Sequence, residues 1–322
     1  MPLPKTFKLA SGYEIPSLGY GCYATTPASN AFALKHGLML LDTAWIYNTE
    51  IEVGKGIKQS GVPRSKIFLT TKTTEWHHSP AMVKKGLYDS LKRLQVDYVD
   101  LLIIHWPIAY KPTKEGLNVD LYQIEDQLNC QLHKGTAMYE VDSHGKAVID
   151  EELSNNHLAT WRAMEELVDE GKVRSLGLSN FSIAQTEALL PHVKHPITLN
   201  QCEAHPWLQN NELVEYCKKK NILFQAYSAL GTNIKVTDDA TIVRVAEKNK
   251  MSPQALVMSW AVQRGTCPLT KSTSEERIVG NTAVKELSPE DFAAIENCNQ
   301  KGKKRQNWGH EAMHKSYDDV PQ

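Results

Sequence analysis

The sequence predicts an α/β protein whose parallel strands close into a (β/α)8 TIM barrel. Three observations predict it. Short apolar, β-branched runs alternate with stretches of helical period along the chain. Eight such runs can be counted, and 322 residues suffice for eight strand–helix units. No run is followed by G-x-G-x-x-G, so the competing open, doubly wound sheet lacks its usual phosphate-binding turn.

The elements follow in order, after a short N-terminal hairpin. "SLGYG" (17–21) is the first barrel strand. "LMLLD" (38–42) is the second, and the helical "EIEVGKGIKQS" comes after it. "KIFLTTK" (66–72) is the third and precedes "SPAMVKKGLYDSLKRL", in which Ser79 is an N-cap and Pro80 opens the helix. "YVDLLIIH" (98–105) is almost continuously apolar, as a strand covered on both faces requires. "VRSLGLS" (173–179) leads into "SIAQTEALLPHV". "ITLNQ" (197–201), "ILFQAYS" (222–228) and "CPLT" (267–270) complete the eight, with helices over 210–220, 238–250 and 253–264. Ser252-Pro253 and Ser288-Pro289 repeat the capping device, the second with Glu290 and Asp291 in its first turn.

Two segments break this rhythm within what reads as a single domain, 1–322. Residues 107–154 are polar and irregular, and a loop of that length in a compact domain is usually functional. It follows the fourth strand, so it is expected to lie over the mouth as a lid. Residues 301–322 form a C-terminal tail with Trp308 and Tyr317, expected to pack across the same face.

A net charge of −1 gives no basic surplus for nucleic acid. No run nears the roughly 18 consecutive apolar residues of a membrane span. "MPLPKTFKLASG" lacks the apolar segment of a secretory signal. The six cysteines, Cys22, Cys130, Cys202, Cys217, Cys267 and Cys298, are scattered without a CxxC. The expectation is a reduced, cytoplasmic protein with neither a nucleic-acid nor a membrane partner.

Barrel chemistry sits at the C-terminal ends of the strands. Asp42 ends the second strand, Lys72 the third and His105 the fourth, while Tyr47 lies just beyond Asp42. Any one of these alone is commonly a capped or paired structural residue. A lysine and a histidine closing apolar strands are costly to bury without partners, and four such groups converge on one mouth. A phenol has a reference pKa of about 10 and a nearby ammonium favours its ionised form, so Tyr47 is expected to be lowered. The carboxylate keeps the lysine charged, and a neutral histidine orients a carbonyl oxygen. Together they can protonate an oxygen as negative charge develops on it. That suits carbonyl reduction with Tyr47 as the acid, and a cofactor must bring the hydride. A metal-dependent hydrolase using His105, His77 and His78 fits less well, because the adjacent pair has the wrong spacing and no second acidic cluster supports it.

Eight phrases, in order, carry a resemblance: "GYGCYAT" (19–25), "LDTAWIYNTEIEVG" (41–54), "LTTK" (69–72), "LIIHWP" (102–107), "GKVRSLGLSNFS" (171–182), "NQCEAHP" (200–206), "QAYSALG" (225–231) and "TKSTSEERIVGN" (270–281). The chain resembles the aldo-keto reductases along nearly its whole length, and its style is similar to that of the fungal sugar-aldehyde reductases. The resemblance implies Asp42, Tyr47, Lys72 and His105 as a catalytic tetrad. It implies NADPH, with NADH as a secondary donor, extended across the mouth without a Rossmann domain. Ser179, Asn180 and Gln201 match positions that hold the nicotinamide carboxamide, and Tyr227 matches the aromatic stacked on that ring. Ser228 and Leu230 match the pyrophosphate loop. Lys271, Ser272, Arg277 and Asn281 match the adenosine end. Gly21, Cys22, Tyr23 and Asp42 are carried over as further cofactor contacts. Two cations, Lys271 and Arg277, near a 2′-phosphate favour NADPH. The plainer reading of Arg277 is a solvated helix residue paired with Glu275 or Glu276. The partner implied is a small carbonyl compound, and the assembly a monomer or weak homodimer.

The substrate pocket is read as Tyr23, Trp45, Tyr47, Trp76, His105 and Trp106. Tyr23 stands where many relatives have tryptophan, and Thr74 where an aromatic is common, with Trp76 displaced along the loop. A pocket this polar favours a sugar, uronic acid or small hydroxy-aldehyde such as D-galacturonate, glyceraldehyde or xylose. Lys111 and Arg305 are the cations considered for a substrate carboxylate. The alternatives are a reductase of a specialised ketone or secondary metabolite, and a non-catalytic NADP-binding regulatory protein on the same scaffold. The intact tetrad speaks against the second.

Overall fold

The computed structural model describes residues 2–114, 138–232 and 234–299. An antiparallel hairpin, β1 (Thr6–Lys8) and β2 (Glu14–Pro16), sets Phe7 opposite Ile15. Eight parallel strands follow: β3 (Gly19–Gly21), β4 (Leu40–Asp42), β5 (Phe68–Lys72), β6 (Val99–Ile104), β7 (Val173–Ser179), β8 (Ile197–Glu203), β9 (Leu223–Tyr227) and β10 (Cys267–Thr270). They close in the order β10-β3-β4-β5-β6-β7-β8-β9. The eight apolar runs of the sequence are the eight staves of this barrel.

Around it run α1 (Pro27–Lys35), α2 (Glu50–Ser60), α3 (Pro80–Leu94), α4 (Glu151–Asn155), α5 (Leu158–Asp169), α6 (Ile183–Leu189), α7 (Asn211–Lys219), α8 (Ala240–Lys248), α9 (Pro253–Gln263), α10 (Glu275–Asn281) and α11 (Pro289–Glu296). Ser252 accepts from the Ala255 amide and Ser288 from the Asp291 amide, each at 3.1 Å, as expected of N-caps. Ser79 occupies the cap position of α3, but its side chain makes no capping bond. Helix α1 escapes a periodicity reading because its buried face includes Ser29 and Asn30 alongside Ala31, Ala33 and Leu34.

Strand residues alternate between two cores. Leu41, Leu69, Leu102 and Ile104 face outward and pack with Leu34, Val53, Leu87, Trp161 and Trp260 of the helices. Leu40, Phe68, Leu101, Ile103, Leu199, Cys267 and Leu269 face inward, and Leu9 and Ile15 of the hairpin join them from below. Gly19 makes that interior possible. A Cβ there would stand 2.5 Å from a Leu269 methyl and 2.7 Å from one of Leu40.

The described parts of segment 107–154 are more ordered than the sequence implied. Tyr110 pairs with Ile149, Pro112 with Tyr139 and Val141 with Ala147, all antiparallel, so the chain forms a narrow ribbon. It ends in α4, where Asp150 accepts from the Leu153 amide at 3.1 Å. Ile108, Tyr110 and Met138 of the ribbon bury themselves with Trp45, Trp76 and Trp106, which supplies the apolar contact the polar composition conceals. The centre of that segment and the tail 301–322, with Arg305, Trp308 and Tyr317, lie outside the described residues. Among the described residues, no helix is long and apolar enough to cross a membrane.

Candidate active site

The period of two that builds the barrel also builds its mouth. On β4, Leu40 and Asp42 share the inner face. On β5, Phe68 and Lys72 do, and on β8, Leu199 and Gln201. Lys72 Nζ donates to Asp42 Oδ1 at 2.5 Å and to the Thr43 carbonyl at 2.8 Å. Both side chains are almost wholly buried, at 1% and 2% exposed. Burial pulls the Lys72 ammonium down, but Asp42 and Tyr47 together outweigh it, so its pKa is raised and it stays charged.

Tyr47 closes the 3-10 turn Trp45–Tyr47, which Asn48 ends in a left-handed conformation, φ 55°. Its ring lies 4.9 Å from Lys72 Nζ, 5.6 Å from the His105 ring and 5.2 Å from that of Tyr23. The expected lowering of its pKa is not found. Burial raises the phenol, Lys72 pulls it down by less, and Asp42 adds to the rise. The sequence shows the ammonium but not the apolar walls that desolvate the hydroxyl. His105 follows β6 directly. Burial first, and the Lys72 charge second, hold its pKa well below the usual range, so its ring is neutral at pH 7.

Three further strands, β7, β8 and β9, knit onto this group. Asn180, at φ 64°, turns back so that its amide nitrogen donates to the His105 carbonyl at 3.1 Å and to Ser179 Oγ at 3.0 Å. Its Oδ1 accepts from the Tyr227 hydroxyl at 3.0 Å. Ser179 Oγ donates to the Gln201 carbonyl at 2.8 Å. Gln201 Nε2 donates to Asp42 Oδ2 at 2.7 Å and to Gln225 Oε1 at 2.6 Å. Sequence reasoning passed over Gln225. Its signal was a polar residue two before Tyr227 in an otherwise apolar strand, hence on the inner face.

The remaining candidates divide between exposed Lys271 and Arg277, half-buried Ser228 and Leu230, and buried Cys22, Ser272 and Asn281. Ser228, at φ 50°, breaks β9 and shares a 2.7 Å hydrogen bond with Thr232, and half-buried Leu230 follows it. Asn281 donates to Thr270 Oγ1 at 2.5 Å, and the Tyr20 hydroxyl to the Ser272 carbonyl at 2.5 Å. Lys271 and Arg277 are exposed, and neither Glu275 nor Glu276 forms an ion pair with Arg277. Gly21 ends β3. The Cys22 amide donates to the Asp42 carbonyl at 2.8 Å, and burial pushes the Cys22 thiol far up, leaving it unreactive.

Of the six pocket residues, Tyr23 is the open one, at 54% exposed, while Tyr47 is half-buried and His105, Trp45, Trp76 and Trp106 are buried. Thr74 does not lend its hydroxyl to the mouth. It donates to Glu75 Oε2 at 2.7 Å and is fully buried. Lys111 is exposed on the ribbon. His77 stacks edge-on against Trp45 at 4.7 Å and His78 lies 6.2 Å from His157, so the pair serves two separate packing sites. Chemically, the mouth offers an amide-lined recess beside a partly open phenol ring, with exposed cations at one rim. Those groups suit a dinucleotide carrying a carboxamide and phosphates.

Comparison with known proteins bears on this arrangement. The profile of the Aldo/keto reductase family matches residues 27–300. The chain is 39% identical to a glycerol 2-dehydrogenase (NADP(+)) of Saccharomyces cerevisiae over 314 residues, spanning 94% of this chain and 93% of that protein. It is 36% identical to a D-galacturonate reductase of Hypocrea jecorina, spanning 90% of this chain and 89% of that one. The solved aldose reductase of Schistosoma japonicum superposes with a TM-score of 0.83 at 27% identity, covering 99% of this chain and 98% of its own.

Proposed function

The chain belongs to the Aldo/keto reductase family, and from that premise we propose that this oxidoreductase reduces a sugar aldehyde, a uronic acid or a small hydroxy-aldehyde to the alcohol with NADPH. The observation that carries the reading is the buried Lys72–Asp42 pair set against Tyr47 and a neutral His105.

NADPH, when bound, supplies the hydride. His105 donates a hydrogen bond to the carbonyl oxygen and fixes its direction. Tyr47 gives its hydroxyl proton to that oxygen as charge builds there. Lys72 stabilises the phenolate left behind, and Asp42 holds Lys72 charged and in place. Ser179, Asn180 and Gln201 would hold the carboxamide and Tyr227 would supply an aromatic face for the nicotinamide, with Gly21, Cys22 and Tyr23 as further contacts. Ser228 and Leu230 border the pyrophosphate. Lys271 and Arg277 would meet the 2′-phosphate, with Ser272 and Asn281 at the adenosine end. Both cations are exposed and neither has an ion-pair partner among the described residues, which supports NADPH over NADH, as does the NADP(+) in the name of the yeast relative. Tyr23, Tyr47 and His105 border the substrate, with the three tryptophans behind them.

A second reading has its own support. Two relatives are named glycerol 2-dehydrogenase, and dehydrogenation at carbon 2 of glycerol leaves a ketone. A small hydroxy-ketone is therefore the competing substrate. The test is NADPH oxidation with D-galacturonate, D-glucuronate, D-xylose, DL-glyceraldehyde, dihydroxyacetone and an aromatic aldehyde, with NADH alongside. A rank order led by an aldehyde sugar or sugar acid is expected. Dihydroxyacetone leading would install the ketone reading. NADPH binding without any turnover would turn the chain into a binding protein.

A further inference from the structure

We propose that Gln225 is a positioning residue: it takes the second N–H of Gln201, so that the amide, already held to Asp42 by its first N–H, cannot pivot and presents its oxygen alone to a nicotinamide carboxamide. The inference rests on the cofactor reading above and adds a residue to it.

A single polar chain runs down the inside of the barrel. Asp42 Oδ2 accepts from Gln201 Nε2 at 2.7 Å. The same nitrogen donates to Gln225 Oε1 at 2.6 Å. Gln225 Nε2 donates to Cys267 Sγ at 3.4 Å, and the thiol donates to the Pro16 carbonyl at 3.4 Å, at the barrel floor. Gln201 is 2% exposed, and Gln225 and Cys267 are fully buried.

The direction of every bond in this chain is forced. Asp42, paired with Lys72, is a carboxylate and only accepts. The Pro16 carbonyl at the other end also only accepts. Gln201 must therefore turn its nitrogen to Asp42. Gln225 must then turn its oxygen to Gln201, because the reverse would set two amide nitrogens face to face. Both N–H groups of Gln201 are consumed, and no described residue donates to its Oε1. A ligand at Gln201 thus meets an acceptor and has to bring a donor. The NH2 of a nicotinamide carboxamide is such a donor.

Without the Gln225 oxygen, Asp42 holds the Gln201 amide by one N–H alone, and the second N–H has no acceptor among the described residues. Such a group is costly to leave unpaired, and the amide can pivot about its bond to Asp42 to swing that N–H towards the ligand. The lock on the polarity of the recess is then broken.

The test is equilibrium binding, followed by quenching of tryptophan fluorescence, with NADP(+) and its 3-acetylpyridine analogue, in which methyl replaces the NH2. Wild type is expected to prefer NADP(+) by roughly five- to tenfold, about the worth of one neutral hydrogen bond. In Gln225→Leu the preference should fall below about twofold, through tighter relative binding of the analogue. Gln225→Met, close to glutamine in length but without an amide oxygen, should show the same fall, which maintains a test if the leucine variant does not fold. A merely structural Gln225 would weaken both dinucleotides equally and leave their ratio unchanged, and that result overturns the proposal. Wild type that binds neither dinucleotide defeats the cofactor reading and this inference with it. Wild type that binds both equally defeats the inference alone.

Discussion

At Tyr47 two influences oppose each other, and the larger is the one that only the folded chain supplies. Burial raises the phenol's pKa, and the ammonium of Lys72 acts against it. Replacing Lys72 by methionine removes that opposition, so the phenol should rise further and turnover should fall by about 10²-fold or more. The same change leaves Asp42 buried without its cation, and chemical denaturation should register a loss of about 3–5 kcal/mol. Tyr47→Phe removes the proton but not the packing. Its kcat should drop by roughly 10²–10⁴-fold while the affinity for NADPH, followed by fluorescence, stays within about twofold. Retained turnover would remove Tyr47 from the role of acid. Arg277→Ala should weaken NADPH by about tenfold and NADH hardly at all. Asp42, Lys72 and His105 were legible because polar groups ending apolar strands stand out. Gln225 was not, because its inner-face position has meaning only once the register with Gln201 and Asp42 is known. Thr74 misled for the same reason, since its hydroxyl direction depends on where Glu75 sits.

At the scale of elements, the strand ends lie within two or three residues of the runs read from sequence, since a buried parallel strand advertises itself by composition. Helix α1 and the ribbon were hidden. The first buries polar residues, and the second draws its apolar contacts from Trp45 and Trp76, far away in sequence. The caps give a direct comparison. Ser288 accepts the Asp291 amide, so Ser288→Ala should cost about 1 kcal/mol. Ser79 makes no such bond, so Ser79→Ala should change the unfolding free energy by well under half of that. Equal losses in urea titrations would show that Ser79 caps in solution.

Across the whole molecule, several histidines are buried in the neutral form. Burial lowers His78 to about 3, with His157 adding, and lowers His157 to about 4, against an ordinary 6.5. The unfolded chain therefore binds protons that the folded one refuses. This contribution to stability is complete above about pH 6.5 and shrinks as pH falls towards the folded values. Each of the two should cost about 2 kcal/mol between pH 7 and pH 5, from about 1.4 kcal/mol per pH unit. Urea unfolding at both pH values should show the loss, and His157→Gln should reduce it by about 2 kcal/mol. An unchanged pH dependence in that variant would mean His157 is protonated in the folded state.

Leu9 and Ile15 of the hairpin close the barrel from beneath. Among the described residues, that end of the barrel is plugged, and a ligand has to come in at the strand-end mouth. A ligand reaching Gln201, 2% exposed, sits deeper than one resting on Tyr23, 54% exposed. Two ligands sharing that mouth should therefore bind in order, the one at Gln201 first, and product-inhibition patterns would check it.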